Sequence, residues 1–187
     1  RAVGGGGSAA VHYTGGGGGR IAVIYNPSAQ GAIAIPDIRF SAAGGLFNPG
    51  AESVTWRNPA GWPDMFGHVG SLYFPDNRFL TEAPPHSGEW LVAGFTNWSP
   101  TSLTLSNAWL RFPFLTAIQI ANGLTIQGTN SINSRLELIN IRLSVGGSIT
   151  LSNSSLALYS EGTTATVASC GGDLRLQAAS GLYVYAG

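Results

Sequence analysis

The sequence predicts an all-β chain, a right-handed parallel β-helix with three strands in each coil of about 25 residues, and three observations lead there. The first is a fixed interval, because Leu124-Thr125-Ile126, Ile149-Thr150-Leu151 and Leu174-Arg175-Leu176 recur 25 residues apart. The second is a companion register, Ile118/Ile120, Leu143/Val145 and Ala168/Cys170, each pair followed by Gly123, Gly146-Gly147 or Gly171-Gly172. The third is alternation: within each stretch the apolar residues fall at i and i+2, as a strand with one buried face requires. Like triplets at one interval stack rung upon rung, which is how a solenoid hydrogen-bonds coil to coil.

The elements follow in chain order. Residues 1–30 carry the tracts Gly4 to Gly7 and Gly15 to Gly19, then the strand-like Arg20-Ile-Ala-Val-Ile-Tyr25. Residues 31–100 hold eight of the ten prolines and four of the five tryptophans. That zone reads as irregular coils or loops on the solenoid, since proline removes a ladder donor. Residues 101–187 contain only Pro113 and carry the regular coils. Their first strands centre on Leu103/Leu105, Leu124/Ile126, Ile149/Leu151 and Leu174/Leu176, which turns Thr104, Thr125, Thr150 and Arg175 outward. Corners follow at Asn107, Gly128, Asn153 and Ala178, mostly residue types that tolerate a left-handed backbone. A second strand comes after each corner, at Leu110/Phe112, Leu136/Leu138, Leu156/Leu158 and Leu182/Val184. A left-handed hexapeptide helix would need a six-residue rhythm, and a leucine-rich repeat would need L-x-L-x-x-N with helical segments. The chain reads Leu103-Thr-Leu-Ser-Asn107 and shows neither.

Composition narrows the function classes. Zero formal net charge and a mean hydropathy of +0.16 argue against disorder. The nine cationic side chains are all arginines, scattered from Arg1 to Arg175, which is no footprint for a nucleic acid. With only 10% charged residues the surface has little colloidal repulsion, so other copies of the chain are the expected partner. Cys170 is the single cysteine and falls in the column of Ile120 and Val145, where it reads as a small buried hydrophobe. No run reaches the roughly 18 apolar residues of a membrane span. A start at Arg1 rather than Met suggests a processed product or an excerpt of a longer chain.

The tract Gly15-Gly-Gly-Gly-Gly-Arg20 runs into a strand and no lysine exists in the chain, so it does not read as a phosphate-binding loop. Such glycines let backbones approach closely or form a flexible arm. Together with Arg20 to Tyr25, Gly70-Ser-Leu-Tyr-Phe74, and Ser102-Leu-Thr-Leu-Ser-Asn107 with its echo Ser148-Ile-Thr-Leu-Ser-Asn153, the tract resembles segments of large glycine-rich secreted β-helix proteins of environmental bacteria. The resemblance implies an extracellular or cell-surface location and a structural or adhesive role. It transfers no catalytic residue.

Three function classes are weighed. In the first, the chain is the subunit of a self-assembling filament or surface layer. Its last coil, Asp173 to Gly187, supplies two strands without a polar cap, so another copy completes the edge by strand addition. The candidate interface is Gly15, Gly16, Gly17, Gly18, Gly19, Arg20, Ile21, Val23 and Tyr25 on one side and Leu182, Val184 and Tyr185 on the other. In the second, Trp56, Trp62, Trp90 and Trp98, with Asn58, Asp64, His68, His86 and Glu89 among them, bind glycans through flat ring faces. In the third, a polysaccharide lyase or hydrolase would need clustered carboxylates, yet the four aspartates and five glutamates are dispersed and no catalytic residue is assigned. His12, His68 and His86 lack metal-ligand spacing, so neither metal nor cofactor is expected.

Overall fold

A computed structural model describes residues 1–4, 16–45, 68–113, 115–129 and 134–186. Gly15, Trp56 and Trp62 lie outside the described residues. In chain order the elements are β1 (Arg20–Ala22), α1 (Pro27–Gln30), β2 (Ser71–Phe74), β3 (Gly88–Val92), β4 (Asn97–Trp98), β5 (Leu103–Ser106), β6 (Trp109–Phe112), β7 (Ala117–Ile120) and β8 (Leu124–Gln127). They continue with β9 (Arg135–Ile139), β10 (Arg142–Val145), β11 (Ile149–Ser152), β12 (Ser155–Ser160), β13 (Val167–Cys170), β14 (Leu174–Gln177) and β15 (Gly181–Ala186).

The strands form three sheets whose pairings are all parallel, the arrangement of a β-solenoid. The first sheet has the order β1-β2-β3-β6-β9-β12-β15, the second β13-β10-β7-β4 and the third β14-β11-β8-β5. Register explains the repeat. Leu143 pairs with Ile118 and Ala168, Ile149 pairs with Leu124 and Leu174, and Val145 pairs with Cys170, so the 25-residue interval is the offset between stacked rungs. In the first sheet, Leu110, Leu136, Leu156 and Leu182 form one inward ladder. Most of these inward side chains, from Leu72 to Leu158, belong to one continuous core.

The corners carry the strain that the sequence suggests. Asn107, Asn153 and Ala178 take φ of 49°, 46° and 53°, and Asn140, not singled out from the sequence, takes 56° between β9 and β10. Gly128 shares the corner column for a different reason: a Cβ there would stand 1.6 Å from Ser134 Oγ. Between the second and third sheets, Gly146 and Gly171 turn tightly against the rung below. A Cβ on Gly146 would meet Ala121 O at 2.1 Å, while its N–H donates to Ile120 O at 2.8 Å.

The proline-rich zone contributes to this frame. It contains β2, β3 and β4, two of which extend the first sheet below β6, and Phe74 and Trp90 join the same core as the regular coils. The second and third sheets stop at β4 and β5. At that end Phe40, Phe74, Phe79, His86 and Trp90 pack ring on ring, and Tyr25 meets Phe79 edge-on. Glu82 covers the ladder edge there, its main-chain O accepting from Thr104 N at 2.8 Å and its Oε1 from Thr101 N at 2.7 Å.

Candidate assembly interface

The first sheet has two terminal strands, β1 and β15, and neither carries a further strand among the described residues. Backbone direction at each edge follows from the hydrogen bonds on the paired side. Gly181 N donates to Ser154 O at 3.0 Å, so Gly181, Tyr183 and Tyr185 turn their main-chain groups toward β12, and Leu182 and Val184 turn theirs to the outer edge. Val23 N donates to Tyr73 O at 2.9 Å, so Ile21 and Val23 face β2, and Arg20 and Ala22 face the outer edge.

Side chains at the last rung are uncovered. Leu176 is 51% exposed and Val184 66%, although their ladder partners Leu151 and Leu158 are 0% and 5%. Cys170 occupies the column of Ile120 and Val145 as expected, but it is half-buried rather than buried because among the described residues no further rung covers it; its thiol approaches Gly172 O at 3.3 Å. At the opposite end, the chain that leaves β1 exposes Ile24, Ile33, Ile35 and Ile38. Apart from Val3 and Tyr73, every exposed large hydrophobic among the described residues lies in 24–38 or 167–184.

The segment after β1 is pinned in place. Tyr25 Oη donates to the Asp76 carboxylate, and burial, reinforced by that carboxylate, raises the phenol above its ordinary range. Arg78 donates to the main-chain O of Gln30 and of Ile33. Asn26 caps α1 by accepting from Ser28 N and Ala29 N, but this single turn buries nothing.

Gly16 to Gly19 are built into the chain's own frame. Gly18 N donates to His68 O at 2.8 Å, Gly19 N to Ala2 O at 2.6 Å, and Gly16 O accepts from Gly45 N at 2.7 Å. A Cβ on Gly18 would fall 2.0 Å from Ala42 O, and one on Gly70 1.9 Å from Gly19 O, so glycine is what allows these backbones to meet. The described part of the tract is a close-packed junction, not a free arm.

The tryptophans that the structure describes are core residues. Trp90 is 2% exposed and stacks on Phe74 at 4.5 Å and on His86 at 5.8 Å; Trp98 is buried against Phe112. Neither ring offers a face to a sugar, which corrects their assignment as glycan contacts. His86 is buried in the same aromatic group and accepts from Phe40 N at 3.3 Å, and burial lowers its pKa to about 4. It is neutral near pH 7.

A buried ionic ladder on the outer side of the first sheet escapes sequence reasoning. Arg135 lies 2.7 Å from Glu137, Arg111 lies 3.9 Å from the same carboxylate, and the Arg135 guanidinium covers the Trp109 ring at 5.5 Å. All of β9 is buried, so polar residues at outward positions are covered as fully as Leu136 and Leu138. The available signal was the pairing of Glu89 with Arg111 and Arg111 with Glu137, an alternation of charge between rungs. Variable spacing hides it along the sequence.

Among the described residues no group of three or more His, Cys, Asp or Glu is placed to hold a metal ion, and no helix is long and apolar enough to cross a membrane. No protein-family model matches this chain, and comparison with curated proteins and with solved structures finds no match.

Proposed function

We propose that the chain is a right-handed parallel β-helix with three strands per coil that acts as an extracellular structural protein. It is the subunit of a filament or surface layer that grows head to tail by strand addition. The observation that carries this reading is that, apart from Val3 and Tyr73, the exposed large apolar side chains of the described residues lie in the segment 24–38 that leaves β1 and in β13 to β15. The fixed rotation of β4 to β15 through the second, third and first sheets supports three strands per coil. The strong preference of parallel crossovers for one hand supports a right-handed turn. A head-to-tail contact between unlike surfaces need not close, so it propagates. Covering the half-exposed Leu174, Leu176, Leu182 and Val184 would yield roughly 1 kcal/mol each, a modest gross gain against the cost of association. The extracellular location rests on the resemblance of the glycine-rich segments to secreted β-helix proteins.

Electron microscopy and sedimentation across a concentration series test the proposal. Unsubstituted protein should form ordered polymers, and Leu176→Glu should abolish them while preserving the β-type circular dichroism. A monodisperse monomer at every concentration would sink the proposal. The glycan-binding alternative keeps only Trp56 and Trp62 of its rings, because Trp90 and Trp98 are buried. The minor alternative is a polysaccharide-active enzyme, whose catalytic carboxylates would have to converge across coils.

A further inference from the structure

We infer that β1 of one copy adds to β15 of another in a single register, with Arg20 against Gly181, Ile21 against Leu182, Ala22 against Tyr183, Val23 against Val184 and Ile24 against Tyr185. This rests on the assembly reading above and specifies its joint.

Inward and outward positions must match across a parallel pair, because a slip of one residue turns every core side chain to the wrong face. Leu182 and Val184 continue the inward ladder of Leu156 and Leu158, and Ile21 pairs with inward Leu72 and, like Val23, packs on the core. Only registers that differ by even steps therefore survive. Backbone chemistry agrees. Within the chain, the following strand uses the main-chain groups of its outward residues: Gly181 N reaches back to Ser154 O, and Glu89 N reaches back to Gly70 O at 2.7 Å. At the joint, β1 is the following strand and offers its outward residues Arg20 and Ala22, while β15 offers the groups of Leu182 and Val184. These are the complementary sets.

Side-chain size chooses among the even registers. In the stated one, Tyr183 lies beside Ala22, repeating the pairing of Tyr73 with Ala22 inside the chain, and Arg20 lies beside Gly181, over which the Tyr183 ring folds. A shift of two residues in one direction sets Arg20 on Tyr183 and leaves Ile24 beyond Tyr185. The opposite shift carries Val184 and Tyr185 past Ile24. Either shift shortens the ladder by two residues.

Disulfide trapping in a Cys170→Ser background tests the register. Strands in register lie about 4.8 Å apart, within disulfide reach, whereas a partner two residues off lies about 8 Å away and out of reach. Oxidising a mixture of Ala22→Cys chains with Tyr183→Cys chains should give at least ten times more covalent heterodimer than mixing Ala22→Cys with Tyr185→Cys. The pair Ile24→Cys with Tyr185→Cys repeats the test at a second position. Preferential trapping of the offset mixture, or polymer without trapping of any in-register pair, overturns the register and leaves the assembly reading standing. Absence of polymer in the unsubstituted protein overturns both.

Discussion

Leu151 and Leu176 occupy one column of the third sheet on adjacent rungs, in the near-identical settings Ile-Thr-Leu-Ser and Leu-Arg-Leu-Gln, yet the first is sealed and the second is half in water. The same contrast separates all of β10 to β12 from β13 to β15. Burial in a solenoid is therefore conferred by the next rung rather than by the strand's own pattern. The other end solves the problem differently. Below β4 and β5 the aromatic group around Phe79 and His86 fills the space that further strands would occupy.

The contrast is sharpest in matched truncations. Leu151→Ala should cost about 3 kcal/mol in urea unfolding of dilute protein, because it opens a cavity between covered rungs. Leu176→Ala should cost under about 1 kcal/mol in the same assay, and equal losses would break the comparison. Gly146→Ala should cost about 3 kcal/mol through collision with the Ala121 carbonyl one rung below.

The plugged end should be the acid-sensitive one. His86 has its folded-state pKa lowered to about 4 against 6.5 in the unfolded chain, so the unfolded state binds the extra proton between these values. The stability linked to neutral His86 is complete above pH 6.5, is lost as pH falls toward 4, and changes no further below that. The loss should be on the order of 3 kcal/mol, and His86→Phe should flatten this part of the pH profile of thermal unfolding. The smallest effect belongs to the open end. Ala178 holds φ of 53° where Asn107 and Asn153 stand in earlier coils, and Ala178→Asn should stabilise by about 0.5–1 kcal/mol. No gain on chemical unfolding would mean that the last corner relaxes.

Much of the regular region was legible along the chain. Leu143 with Ile118 and Ile149 with Leu124 are each offset by one interval, and the inward residues of these strands alternate without exception. The proline-rich zone was not legible, because Ser71 pairs with Glu89 and Gly88 with Leu110 across loops of unequal length, which erases any period. The candidate interface was half legible. Leu182 and Val184 could be read as the last inward pair, but the Gly16 to Gly19 tract gives no sign along the chain that Ala2, Ala42 and Gly70 will close around it.

By itself the sequence determined the parallel stacking of the later coils, their register and the column of Cys170, since those depend on a local alternation and a constant interval. Tertiary structure alone decided that Trp90, Trp98 and His86 are core, that Arg135 and Glu137 are buried on an outward face, and that apolar side chains are left uncovered in the segment 24–38 and in β13 to β15. Each of these depends on which distant segment lies alongside, and proximity between distant segments is set by the packing of the whole chain.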